Sequence, residues 1–142
     1  MARIKLQIPE KKLGSITIPV RITDVNYGNH VGNDSLVAML HEARVQWLKS
    51  LRYTELDIEG TGLIMSELAV VYISESFYGD VLSIGIYAGE TSRAGFEIYY
   101  LVETNRNEQT KIIAKAKTGM VCYDYQAGKV TGLPEKLKEI LV

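Results

Sequence analysis

The chain has 142 residues, 46% of them apolar and 23% charged, with a net charge of −1. That length suits one domain, residues 1–142, with a sizeable core. So balanced a charge gives no field that would draw the surface as a whole to nucleic acid or anionic lipid.

Charges at Arg3, Lys5, Glu10, Lys11 and Lys12 break up the first dozen residues, so neither a signal-peptide core nor a membrane-spanning run is expected. With a lone cysteine, Cys122, there is no internal disulfide, and the two readings together predict a cytoplasmic protein. Two histidines, one cysteine and no His-Glu-x-x-His pair argue against a metal site. Neither a phosphate-binding loop nor a Gly-x-Ser-x-Gly nucleophile elbow occurs.

The first predicted strand, residues 15–22, alternates at Ile16 and Ile18, and Pro19 suggests an edge or a bulge because it has no N–H to donate. Residues 24–34 are rich in Gly, Asn and Asp and read as a loop. A helix follows from about Asp34 to Arg52, capped by Asn33 or Asp34. Leu36, Leu40, Ala43, Trp47 and Leu51 form its apolar stripe, with Val37 and Leu48 at the border, and a sheet is the natural partner for so broad a surface. Arg44 falls inside the stripe and needs an acid partner or an outward-reaching side chain.

Four further strands are predicted at 65–77, 81–90, 96–104 and 112–125, from alternations such as Leu82/Ile84/Ile86 and Ala114/Ala116/Thr118/Met120/Cys122. Short links at 78–80, 91–95 and 105–109 imply antiparallel neighbours. Pro134 can start a brief last helix through Leu137 and Ile140. The order strand, loop, helix, four strands specifies an α+β domain with one layer of each kind. Cys122 reads as packing.

The segment Asp24-Val25-Asn26-Tyr27-Gly28-Asn29-His30-Val31-Gly32-Asn33, followed by His41-Glu42-Ala43-Arg44, resembles the hotdog-fold thioesterase superfamily of the 4-hydroxybenzoyl-CoA thioesterase type. Many members read Asp-x-Asp-x-x-Gly-His-Val-Asn-Asn and then a helix ending in Glu-Ala-Arg, with the same spacing. The resemblance implies a long central helix wrapped by a five-stranded antiparallel sheet, a homodimer or homotetramer whose sheets continue across the interface, and hydrolysis of an acyl-CoA or related acyl thioester. Coenzyme A would enter as part of the substrate, with no separate cofactor. The second Asp of the motif, the family's catalytic carboxylate, is Asn26 here. An asparagine cannot serve as the base. Other hotdog thioesterases pair a loop asparagine with an acid on the helix, and Asn26 with Glu42 is similar to that arrangement.

Thioester hydrolysis needs an activated water or an attacking carboxylate, donors for the developing oxyanion, and an apolar slot. Glu42 is the candidate base or nucleophile, although on the helical wheel it points away from the apolar stripe and needs a partner subunit over it. Asn26 would orient the water or bind the carbonyl; otherwise it serves as a turn residue. His30 would donate to the oxyanion or position Glu42; otherwise it is satisfied by backbone. The backbone amides of Gly28, Val31 and Gly32, near the helix start, are the candidate oxyanion donors. Asp24 would hold the loop against Arg21 or Arg44, and Asp34 would cap the helix. Asn33, Leu63, Met65 and Tyr72 are the expected substrate contacts, and Arg93 with Lys117 the expected coenzyme A phosphate contacts. Two other activities fit the same residues: an acyl-thioester hydratase or dehydratase using His30 and Glu42, or a non-catalytic acyl-CoA-binding domain, which the loss of the aspartate at Asn26 favours.

Overall fold

The alternating runs all enter one sheet. In a computed structural model describing residues 2–142, the order is β1 (Lys12–Pro19), one 3₁₀ turn (Ile22–Asp24), α1 (Asn33–Ser50), β2 (Gly62–Tyr72), β3 (Val81–Thr91), β4 (Gly95–Arg106), β5 (Gln109–Asp124), β6 (Lys129–Val130) and α2 (Glu135–Leu141). The strands are antiparallel in the order β1-β3-β4-β5-β2, and β6 adds to the end of β5. The sheet is therefore six-stranded rather than five-stranded. The extra strand has only two residues, too few to show a period.

Two boundaries differ for identifiable reasons. The first strand lies about three residues earlier than its apolar alternation suggests, because the chain turns after Pro19 into the 3₁₀ turn. The second strand stops at Tyr72, not Phe77. Residues 73–80 carry the chain across the sheet, since β2 pairs with β5 and not with β3. The short link at 78–80 thus does not join neighbours, whereas those after β3 and β4 do.

One face of the sheet is apolar. Leu82, Ile84 and Ile86 of β3, Ile98, Tyr100 and Val102 of β4, and Ala114, Ala116 and Cys122 of β5 are fully buried in one cluster with Leu36, Leu40, Ala43 and Trp47 of α1. Each large aliphatic side chain buried there contributes about 1.5–3 kcal/mol. Leu48, at the border of the stripe, is fully buried, and Met39 is buried as well, so the apolar stripe of α1 is wider than its sequence pattern shows.

Arg44 is buried in this interface and has the acid partner its position demands. Its Nε donates to Glu55 Oε2 at 2.9 Å and its Nη1 to the Tyr100 hydroxyl at 3.1 Å. The Tyr100 and Thr118 hydroxyls are 2.8 Å apart, and His41 Nε2 meets Glu55 Oε1 at 2.5 Å. Burial alone would push the Glu55 carboxyl up, but hydrogen bonds and charge from Arg44, then His41, hold it below its ordinary value.

Cys122 faces the core, and burial pushes its thiol up to about 11. The native protein should therefore resist a thiol-reactive dye at pH 8 and react in full once unfolded in denaturant. Rapid labelling of the folded chain would contradict this packing.

Candidate active site

The loop between the 3₁₀ turn and α1 is built on a buried carboxylate. Asp24 Oδ2 accepts the Arg21 backbone N–H at 2.8 Å and the Arg21 Nε at 3.3 Å, while Oδ1 accepts Nη2 at 3.2 Å. Of the two arginines open to it, Asp24 therefore takes Arg21, and this hydrogen bond and charge raise the Arg21 guanidinium above its ordinary value. The Asp24 carbonyl then accepts the Gly32 N–H at 3.0 Å. Between these points the chain folds back on itself, with a bridge from Val25 to Val31 and the Asn26 N–H donating to the His30 carbonyl at 2.9 Å. Asn29 sits at φ 63°, where the family motif carries glycine, and asparagine tolerates that left-handed conformation better than most residues.

The Asn26 side chain serves its own turn, since its Oδ1 accepts the Gly28 N–H at 2.9 Å. His30 Nδ1 lies 3.2 Å from the Val31 carbonyl, which can only accept, and Nε2 faces Glu75 Oε1 at 3.8 Å. Asn26 Oδ1 and His30 Nε2 both lie within 3.3 Å of where a Cβ on Gly28 would stand, so the loop does bring these two predicted residues together.

The three predicted oxyanion amides are not free. Gly28 N–H is held by Asn26 Oδ1, Val31 N–H by the Ser76 carbonyl at 2.8 Å, and Gly32 N–H by the Asp24 carbonyl. The physical reason is that the loop closes with its own donors. In the first turn of α1, Asn33 Oδ1 takes the Asp34 N–H at 2.8 Å and the Gly32 carbonyl takes the Leu36 N–H at 3.0 Å. Among the described contacts this leaves the Asn33 and Ser35 amides for a ligand. The capping residue is Gly32, not Asn33 or Asp34, and Asp34 is the second residue of the helix.

Beside the loop lies a cavity of about 270 Å³ lined by His30, Val31, Asn33, Leu36, Tyr72, Ile73 and Ile113, with Glu75 at its polar side. Two of the four expected substrate contacts line it, Asn33 and Tyr72, and the Tyr72 hydroxyl donates to the Asn33 carbonyl at 2.9 Å. Burial, and after it the charge of Asp34, raises this phenol. Leu63 and Met65 do not join them. They line a second groove between α1 and β2, with Asp34, Ala38, His41, Arg44 and Leu68.

Glu42 reaches neither concavity. It is exposed on another flank of α1, accepts a hydrogen bond from Gln46 Nε2 at 2.8 Å, and lines a shallow surface with Val45, Gln46, Lys49 and Ser50. Lys117 is also unsuited to its expected phosphate. It sits between Glu67 at 2.6 Å and Glu97 at 3.1 Å, whose hydrogen bonds hold its ammonium above the ordinary lysine value, and Glu90 lines the same depression. Diagonal cross-strand contacts of this kind follow from register and are invisible to a strand read singly. Arg93 is exposed in the turn between β3 and β4, far from this pairing in role, with its carbonyl accepting the Leu133 N–H. A basic residue that sequence reasoning missed, Arg3, donates to the Tyr72 carbonyl at 3.2 Å.

Among the described residues no cluster of His, Cys, Asp and Glu could hold a metal, and no helix is long and apolar enough to cross a membrane.

Known proteins give this geometry a family. Among proteins of curated function none matches the sequence. Solved structures do match in fold. A candidate thioesterase from Pseudomonas aeruginosa is 20% identical with a TM-score of 0.83, covering 93% of this chain and 100% of that one. A 1,4-dihydroxy-2-naphthoyl-CoA thioesterase from Synechocystis is 21% identical with a TM-score of 0.78, covering 89% and 93%. A variant of 4-hydroxybenzoyl-CoA thioesterase complexed with 4-hydroxybenzoyl-CoA is 15% identical with a TM-score of 0.80, covering 90% and 97%. These likenesses establish the hotdog fold, α1 being wrapped by the sheet. The model of the thioesterase-like superfamily matches residues 20–141, which takes in the loop, α1 and every strand but β1, and the chain belongs to that superfamily.

Proposed function

We propose that this protein hydrolyses an acyl-CoA or a related acyl thioester to the free acid and thiol. The observation that carries the reading is the junction of loop and helix. It sets Asn26 and His30 beside the open first-turn amides of α1, at the edge of a cavity whose walls are Val31, Leu36, Tyr72, Ile73 and Ile113. The acyl group fills that apolar cavity. The thioester carbonyl lies at the start of α1, where the Asn33 and Ser35 amides and the helix dipole stabilise the negative oxygen of the tetrahedral intermediate. His30 Nε2 and the Asn26 amide orient the water and the carbonyl. Coenzyme A arrives with the substrate, and the reaction draws on no resident cofactor. Free-thiol release from a panel of acetyl-, hexanoyl- and benzoyl-CoA tests the reading. Release above the uncatalysed rate with at least one is expected, and none with any would overturn it.

The working unit in this reading is a homodimer formed along β2. That strand is one of the two edges of the sheet, opposite β1, and exposes Ile64, Met65, Leu68 and Tyr72, with Ile73 just beyond. An unpaired apolar edge of this kind is covered in a stable soluble protein. Leu68→Glu should shift the sedimentation coefficient from dimer to monomer without loss of helix signal. A wild-type protein that is monomeric at micromolar concentration would contradict the assembly.

A further inference from the structure

Within the hydrolase reading, we infer that Asp34 is the catalytic base, and that Gly32 is the residue that makes room for it. This inference rests on that reading and adds the group the reaction still lacks.

Thioester hydrolysis near neutral pH needs a proton acceptor close to the reacting carbon. Asn26 has no basic group, and Glu42 stands on another flank of the helix. Asp34 is placed differently. From the second position of α1 it turns its carboxylate back over the chain entering the helix, and its Oδ1 stands 2.7 Å from where a Cβ on Gly32 would be. The Asn26 Cβ lies 3.7 Å from that same point. The Asp34 carboxylate and the Asn26 side chain thus border the same space over Gly32.

The backbone does not demand glycine at position 32. Its φ of −67° and ψ of 151° are extended values open to any residue. The demand is spatial, because any side chain would occupy the place of the Asp34 oxygen. The family motif carries asparagine at this position and aspartate at that of Asn26. The two departures complement each other: one removes a carboxylate from the loop, and the other opens the space that a carboxylate from the helix fills. Asp34 also stands outside every ion pair among the described residues, is exposed, and lines the groove between α1 and β2. Its charge reaches the Tyr72 phenol, which lines the cavity.

In the reaction, Asp34 accepts a proton from a water as the water oxygen bonds to the thioester carbon. Collapse of the tetrahedral intermediate breaks the C–S bond, and the protonated Asp34 gives its proton to the departing thiolate. The carboxylate ends as it began.

The test uses the purified full-length chain, the acyl-CoA panel above and a chromogenic thiol reagent. Asp34→Asn should lower kcat by about 10²–10⁴-fold, leave KM within a few-fold, and abolish the acidic limb that a carboxylate base imposes on the kcat/KM–pH profile. The other titratable or charged groups around Asp34 are Tyr72 on β2, His41 and Arg44 on α1, Glu55 in the segment after α1, Tyr125 just past β5, and His30 in the loop. A limb belonging to them would survive in the variant. Gly32→Ala should keep the wild-type melting temperature within a few degrees, since only the flexible end of Asp34 must move, yet lower kcat by about 10²-fold through displacement of the base. Glu42→Gln should retain the wild-type rate. The assignment is overturned by an Asp34→Asn enzyme that keeps its rate and acidic limb, or by loss of activity in Glu42→Gln in its place; either result leaves the hydrolase reading standing. A wild-type enzyme that releases no thiol overturns both.

Discussion

Replacing Arg44 with leucine should destabilise the protein by about 3–5 kcal/mol at pH 7, the cost of removing one partner from a buried ion pair. The arginine is 5% exposed, and its guanidinium satisfies both Glu55 and the Tyr100 hydroxyl. Leucine leaves a half-buried carboxylate with only the exposed His41 beside it, and leaves Tyr100 to Thr118 alone. For a chain of this length the melting temperature should fall on the order of 10 °C. Lysine should rescue little, because it lacks the planar fork that serves two acceptors at once.

The pH dependence has a definite sign. In the native protein the Glu55 carboxyl is held below its ordinary value of 4.5. Its contribution is therefore fully present above that value and is lost as pH falls through the lower folded value. In the leucine variant only the exposed His41 still opposes the upward push of burial on the carboxyl, so protonation relieves much of the stranded charge. The gap between wild type and variant should be widest near neutrality and narrow on acidification. Thermal melts between pH 4 and 8 read it directly, and a gap that widens toward acid would refute the account.

Asp24→Ala should have its largest effect on activity. The carboxylate ties down Arg21, and the next link is the Asp24 carbonyl holding Gly32 at the helix start. Without it a part-buried backbone N–H loses its acceptor, at a cost of about 1–3 kcal/mol. The loop that carries Asn26 and His30 then loses its fixed position against α1. A displacement near 1 Å lowers turnover by about 10²-fold, so kcat should fall by that order while the chain remains folded at 25 °C. Asp24→Asn keeps an acceptor for the Arg21 N–H and should fall between the two. Thiol release and a melt on the same samples separate the effects. Full activity with a lowered melting temperature would make Asp24 a residue of stability alone.

Elements with a repeating pattern were legible in the sequence. The alternation along residues 81–90 and 96–104 put Leu82, Ile84, Ile98 and Val102 on one face, and that face is the core. The helical stripe located Leu36, Leu40, Ala43 and Trp47, and of the two outcomes open to the misplaced charge of Arg44, an acid partner or an outward reach, the structure shows the acid. Which acid was not legible, because Glu55 comes from an irregular stretch that folds back over the helix. Local turn chemistry identified the loop.

What failed was whatever another element decides. The amide of Val31 looks available in a glycine-rich loop, yet its acceptor, Ser76, lies 45 residues on, beyond β2. Lys117 looks like a free cation on an alternating strand until β2 and β4 bring a glutamate to either side. Glu42 stands out by its place in a motif, whereas Asp34 reads in sequence as a helix cap. Only coordinates show that the space above Gly32 is filled by that acid.

Tyr72 belongs to two structures at once. It ends the outermost strand of the sheet, and its hydroxyl fastens the first residue of α1 through the Asn33 carbonyl. Whatever docks along that strand can therefore adjust the reaction centre through a single phenol, and whatever fills the cavity presses on the strand that docks. In the proposed dimeric hydrolase, affinity for a second subunit and choice of acyl group would then be coupled quantities, which selection or an engineer could not tune one at a time.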